Sequence, residues 1–324
     1  VSARAADFAG LYEAAVAPST DKARDSAFIE AFRLVAVKVS GTRSAADKFP
    51  TDVPNLRNNV QLRAVRPDGA VTIRFDDAWV DKTLTSAGLP LWGRERPAVL
   101  VWLWVPDTTG RFAWIAADQV LPERDVVERV AQARGLPIVW PTMDAADLAT
   151  ASNLATTGRG SIEALLASGE RYRADGVFLG VGSRDATGGI SIRWSFALQG
   201  ANDGPVVETQ GSVEEGLEQV ADRCAKLFAV AAGAKTDVSV SIAGIRNIDA
   251  YAGAMSYLQS LTVVLGVTVE QMGADTMRLR VTVRGDANTL RRAMELKRRA
   301  AALVVDTAAT NAPGDESLKF RYLP

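Results

Sequence analysis

Residues 169–185 read GERYRADGVFLGVGSRD, and the fold turns on whether these glycines belong to a cofactor loop or to a strand and its exit. Gly176-Val177-Phe178-Leu179 has the length and apolar continuity of a buried strand. A dinucleotide loop built on Gly180 and Gly182 has to lead into a helix and carry a third glycine where this chain has Asp185. The chain instead continues into ISIRWSFAL at 190–198, an alternating run preceded by Gly188-Gly189. The stretch is therefore one arm of a β-hairpin, with Gly180 and Gly182 expected in the loop between two antiparallel strands.

Upstream, AVLVWLWV at 98–105 is apolar on both faces, as suits a strand covered on each side. Val126, Val127, Val130 and Ala131 share one face of a helix that stops at Gly135 and delivers LPIVW at 136–140 as a second strand. Ile162, Leu165 and Leu166 mark another helix, with Ser161 as its cap. Downstream, Ser212 and Glu215 form a capping box for a helix running to Phe228. These elements predict a central, three-layer-like α/β domain over 94–234, set off by the charged run Arg94-Glu95-Arg96-Pro97.

Small modules are expected on either side. In 1–93, Leu11–Val16 precedes a helix striped by Phe28, Ala31, Phe32, Val35 and Val39 and ended by Gly41. VQLRAV at 60–65 and AVTIRF at 70–75 then flank an RPDG turn, before a short helix near Trp79 and Leu84. The order is βαββα. In 235–324 it recurs: a strand at 238–242, Gly244, a helix from about Asp249, strands at 267–269 and 277–283, and a helix carrying Leu290, Ala293 and Met294. A last strand at 318–322 completes a ferredoxin-like module. The fold class is thus mixed, α/β in the centre and α+β in the flanking βαββα modules.

Composition excludes more than it identifies. With 324 residues and 48% hydrophobic side chains the chain can bury several cores. Its 37 basic and 38 acidic residues leave a net charge of -1, which gives no global attraction to nucleic acid. There is no histidine, which removes Ser-His-Asp and Cys-His catalysis within one chain and the imidazole ligands of common metal sites. The single cysteine, Cys224, falls on the apolar face of its helix with Leu217, Val220, Ala221 and Leu227, so it reads as a buried hydrophobe. No apolar stretch reaches the ~20 residues of a membrane span. Ala3-Arg4-Ala5 followed by Ala6-Asp7 resembles the small-residue end of a secretory cleavage site, without the positive n-region and apolar h-region of a signal peptide, so by itself it leaves export open. No cofactor or metal motif is present.

The loop PTMDAAD at 141–147 places Asp144 and Asp147 beyond a strand end, where open α/β sheets often bind ligands. In the structural reading, Asp147 caps a helix and Asp144 organises the loop. In the chemical one, the pair holds magnesium or activates water, joined in space by Asp175 and Asp185. Trp102, Trp104, Trp114, Trp140 and Trp194 are read mainly as core, with stacking on a ligand as the rival. Arg291-Arg292 and Lys297-Arg298-Arg299 are read as a solvated face rather than a phosphate site.

RPAVLVW at 96–102, RGLP at 134–137 and RYRADGVFLG at 171–180, with VSG at 39–41 and GLPLWG at 88–93, resemble the bacterial DUF2066 family over residues 8–230. The resemblance implies an envelope-associated protein of Gram-negative bacteria, without a family activity or catalytic residues to carry over. The central order is also similar to the non-catalytic domains of CsgG-like and TolB-like envelope proteins, an analogy of fold. The expectation is a non-catalytic, periplasmic, exported interaction or assembly protein. It binds another envelope protein through a module face or sheet edge, without cofactor or specific nucleic acid. The alternative is a carboxylate-based or magnesium-dependent hydrolase using Asp144 and Asp147.

Overall fold

The computed structural model describes residues 8, 10–17, 24–67, 69–107, 109–157, 162–184, 190–199, 209–297, 303–305 and 317–323. The architecture is mixed α/β. The chain forms two compact units, one built on Arg96–Leu227 and the other on two separated stretches, Ala9–Glu95 and Phe228–Pro324.

The discontinuous unit begins with β1 (Glu13–Val16), α1 (Arg24–Ser40), β2 (Val60–Val65), β3 (Val71–Phe75) and α2 (Asp77–Ser86). The strands are antiparallel in the order β1-β3-β2. Helix α1 buries Ala31, Phe32, Val35, Ala36 and Val39, the stripe that its 3.6-residue period dictates. Phe32 meets Phe49 and Phe75 edge-on at 5.0 and 5.7 Å. Gly41, at φ 70°, closes the helix through its amide to the Val37 carbonyl.

The central unit contains β4 (Val99–Pro106), β5 (Phe112–Trp114), α3 (Pro122–Arg134), β6 (Ile138–Val139) and α4 (Ala145–Thr157). After these come α5 (Ile162–Glu170), β7 (Gly176–Arg184), β8 (Ile190–Leu198), β9 (Thr209–Gly211) and α6 (Val213–Phe228). Its sheet runs β5-β4-β7-β8-β9, with β6 beside β4. β4 is parallel to β6 and β7, while β7 and β8 form a long antiparallel pair from Gly176↔Leu198 to Arg184↔Ile190. One sheet face carries Leu100, Trp102, Val177 and Leu179, packed with Ala151 of α4; the Trp102 indole donates to Ser168 of α5 at 3.2 Å. The opposite face carries Phe178, Trp194 and Phe196, with α6 laid on it through Gly216. α3 lies beside α6, tied by Arg134 to Glu218 and Asp222.

Gly180 and Gly182 are not in the hairpin loop, where the sequence pattern puts them, but inside β7, opposite Trp194 and Ile192. A Cβ at Gly180 would come to 2.7 Å from Leu103 Cδ1, and one at Gly182 to 2.9 Å from the Trp104 carbonyl oxygen. The bare Cα atoms make room for large neighbours across the strand, one standing reason for glycine in a sheet. The reversal, with Asp185, Gly188 and Gly189, lies outside the described residues, as does Ser161.

The discontinuous unit resumes with β10 (Lys235–Ala243), α7 (Ile248–Gln259), β11 (Val264–Met272), β12 (Thr276–Arg284), α8 (Ala287–Lys297), β13 (Leu303–Val305) and β14 (Leu318–Tyr322). The sheet order is β11-β12-β10-β14-β13. β14 lies beside β10, where the last strand is expected, but runs parallel to it, whereas the closing strand of a ferredoxin-like module is antiparallel to the first; β13 adds a further, antiparallel strand at the edge. Alternation puts Met277, Leu279, Val281 and Val283 on one face of β12, against Ala254 and Leu258 of α7 and Leu290 and Met294 of α8. Leu91 and Val230 exchange backbone hydrogen bonds at 2.9 Å, and Glu95 accepts from the Thr262 amide at 2.9 Å. These contacts join the two stretches.

Candidate functional site

The loop before α4 is where the sequence places its chemical candidates. Asp144 Oδ1 accepts from the amides of Ala146 and Asp147, each at 3.1 Å, so Asp144 is the N-cap of α4. Asp147 sits in the first turn and reaches back to the Met143 amide at 2.9 Å. The expected roles are thus exchanged: Asp144 caps and Asp147 organises the loop. The reason is local. Met143 adopts a left-handed conformation, φ 57°, and the helix starts one residue after Asp144, leaving its side chain over the free amides.

The turn after α5 brings in the partners. Arg171 donates to Asp144 with both terminal nitrogens and to Asp147 Oδ1 at 2.7 Å. The Tyr172 hydroxyl donates to Asp147 Oδ2 and accepts from the Thr142 amide at 2.9 Å. The Thr142 hydroxyl also donates to Asp147 Oδ2 at 3.2 Å. The Asp147 side chain is buried, whereas Asp144 and Arg171 face water. Asp144 and Asp147 do converge, but on a guanidinium.

Electrostatics follow from this geometry. Hydrogen bonds from Arg171, then the Asp147 amide, hold the Asp144 carboxyl well below the usual carboxylate range. Asp144, in turn, holds the Arg171 guanidinium protonated beyond its ordinary value. Burial, followed by the bond to Asp147, pushes the Tyr172 phenol up. Each of these shifts fixes the charge state already present at neutral pH; none tunes a proton donor toward it. Mechanically, the cluster ties the start of α4 to the turn entering β7. For the carboxylates to serve a cation or a water, Arg171 has to leave.

Asp175 does not join them, because its carboxylate accepts from the Ala98 amide at 2.9 Å, at the start of β4. Asp185 lies outside the described residues. Among the described residues no group of three or more Asp, Glu or Cys side chains is placed to hold a metal. Trp102, Trp114, Trp140 and Trp194 are buried; Trp104 packs on Trp114 with ring centres 5.2 Å apart. Arg291 pairs with Glu295 at 3.3 Å along α8, while Arg298 and Arg299 lie outside the described residues.

Sequence reading misses a second polar cluster. In the discontinuous unit, the Tyr12 hydroxyl donates to Asp81 Oδ1 at 3.1 Å, Arg284 approaches Asp81 Oδ2 at 3.6 Å, and Arg94 stands over the Tyr12 ring at 5.4 Å. Burial raises the Asp81 carboxyl, against the lowering effect of its bonds to Tyr12 and Arg284. The residues of this cluster come from beside β1, from α2, from the segment that follows α2 and from β12, and no local spacing links them.

Residues 5–93 match the family model of a domain of unknown function, DUF8605. The match spans the N-terminal βαββα module. It overturns the resemblance to DUF2066: the motifs quoted for that family are short, and a charged boundary followed by an apolar strand, as in RPAVLVW, is a general pattern. No curated protein and no solved structure matches the chain. Among the described residues no helix is long and apolar enough to cross a membrane.

Proposed function

We propose that this chain is a non-catalytic interaction or assembly protein that takes an extended segment of a partner protein onto the edge of β11. The observation that supports this reading is the strand itself. β11 is the outer strand of its sheet, nine residues long, with Leu265 and Met272 exposed and most of its length open to solvent. Its only charge, Glu270, is taken by Arg280 of β12 at 2.7 Å. The strand has neither the lysines nor the proline with which proteins blunt an edge, although two bulges interrupt its pairing. Such an edge offers backbone hydrogen bonds to an incoming strand, and its alternate side chains supply specificity. The Arg171-bound carboxylates argue in the same direction, since they are already engaged.

A cell-envelope partner and a periplasmic location are the finer part of the proposal. They rest on Ala3-Arg4-Ala5 alone, and cell fractionation tests them. The binding reading is tested by crosslinking in native cells with a photoreactive residue at Thr268, followed by identification of the captured protein. A defined partner is expected, lost when Leu265→Lys/Met272→Lys is added to the protein carrying the Thr268 probe, with no fall in thermal midpoint. Equal capture by that variant, or by a photoreactive residue placed on α8 instead, refutes the edge.

A further inference from the structure

A second open site lies in the central unit, between β8 and α6, and is independent of the β11 reading. Helix α6 touches the sheet where Gly216 meets the Trp194 ring; a Cβ there would come to 2.8 Å from the indole. Further along the helix the two elements line an open cavity of about 360 Å³, at the lower end of the ~300–1,000 Å³ range of small-molecule sites. Trp194, Phe196, Val220 and Leu227 form its apolar walls. Its polar residues all come from the helix: Gln219, Asp222, Arg223 and Lys226.

The charges at this mouth are unequal in their commitments. Asp222 is bonded to Arg134 at 2.6 Å. Arg223 and Lys226, one turn apart on the same stripe as Gln219, have no hydrogen bond or ion pair among the described residues. An apolar trough with two cations at its rim that pair with nothing among the described residues is complementary to one kind of molecule.

We propose that the β8–α6 cavity binds a small amphipathic anion, with a short apolar body lying against Trp194, Phe196, Val220 and Leu227 and a carboxylate-like head held by Arg223 and Lys226. The cations supply the sign preference, and the wall supplies most of the affinity by apolar burial. Decanoate is the probe, titrated calorimetrically into the full chain below its micellar concentration, with decanol and decyltrimethylammonium as neutral and cationic comparisons. Saturable one-to-one binding of decanoate is expected, at least tenfold tighter than either comparison. Arg223→Gln/Lys226→Gln changes only the groups at the rim and weakens decanoate at least tenfold while leaving decanol unchanged. Leu227→Trp, which fills the trough, abolishes both. Absence of saturable decanoate binding, equal affinity in the Arg223→Gln/Lys226→Gln protein, or binding to anionic phospholipid vesicles without binding to free decanoate overturns the proposal.

Discussion

Replacing Asp147 by alanine tests whether the acidic pair is a structural tie. The side chain accepts from the Met143 amide at 2.9 Å, from Thr142 and Tyr172 hydroxyls, and from Arg171 at 2.7 Å. Truncation leaves the Met143 amide and the Tyr172 hydroxyl without that acceptor, at ~1–3 kcal/mol for each buried donor left unpaired. Tyr172 keeps a contact to the Thr142 hydroxyl at 3.1 Å, which places its share at the low end. Arg171 has a side chain 41% exposed; it turns to water and retains Asp144, so the broken ion pair adds little. The sum is about 2–4 kcal/mol, below the ~3–5 expected when one partner of a fully buried pair is removed. For a unit of this size that corresponds to a fall in Tm of roughly 10 °C. Urea midpoints followed by near-ultraviolet circular dichroism give the number. A cycle with Tyr172→Phe isolates the coupling, because Tyr172→Phe should cost stability in the wild-type background and almost none beside Asp147→Ala. Asp144→Asn keeps a good capping side chain and should shift the midpoint far less. An unchanged or raised midpoint in Asp147→Ala refutes the reasoning, since carboxylates arranged for chemistry commonly stabilise the fold when removed.

Three further outcomes are expected of the same structure. Cys224 is buried in α6 and its thiol is pushed up to about 12 by burial, so dithionitrobenzoate should label the protein only after denaturant is added; labelling of the native chain within minutes contradicts this packing. Because Asp81 binds its proton more tightly folded than unfolded, its contribution to stability is greatest below the ordinary carboxylate pKa of ~3.9 and falls as pH rises through the folded value. Asp81→Asn should flatten that part of the stability–pH curve, and identical slopes in the two proteins exclude the assignment. Gly180→Val drives a side chain into Leu103 and should cost about 1–3 kcal/mol by overpacking, read from urea midpoints; a neutral result would mean that β7 has room that its neighbours do not show.

Elements with strong periodicity are legible in the sequence. The α1 stripe, the apolar run of β4, the α3 stop at Gly135 and the β7–β8 pairing all come from local pattern, and Gly135 takes the left-handed C-cap expected of it. Helix α4 is not legible in this way. Its sequence, AADLATASNLATT, mixes small and polar residues without a sustained apolar stripe, and its Leu148 is half exposed. The three-residue strands β5, β9 and β13 are shorter than any window in which alternation can be distinguished from coil. The acidic pair is visible from its position after a strand, but its meaning is not. Arg171 lies 24 residues beyond Asp147, and only the return of the chain through α5 places the guanidinium between the carboxylates. Gly180 and Gly182 mislead because a glycine that ends a strand and one that admits a neighbour's bulk look alike until the partner strand is known.

The interruption of one compact unit by another sets an order on synthesis. A ribosome releases Ala9–Glu95 first, yet this stretch shares its unit with Phe228–Pro324, which is not yet made. Tyr12 and Asp81 must wait for Arg284, and Glu95 for Thr262. The intervening segment, Arg96–Leu227, has all its own sheet partners as soon as it emerges. It is therefore positioned to fold while its host is half complete, and Leu91 and Val230, paired at the point of departure and return, then let the late half dock without threading. A truncation after Leu227 should yield a folded centre carrying an unfinished N-terminal half, whose exposed apolar face makes it the aggregation-prone stage in the life of the nascent chain.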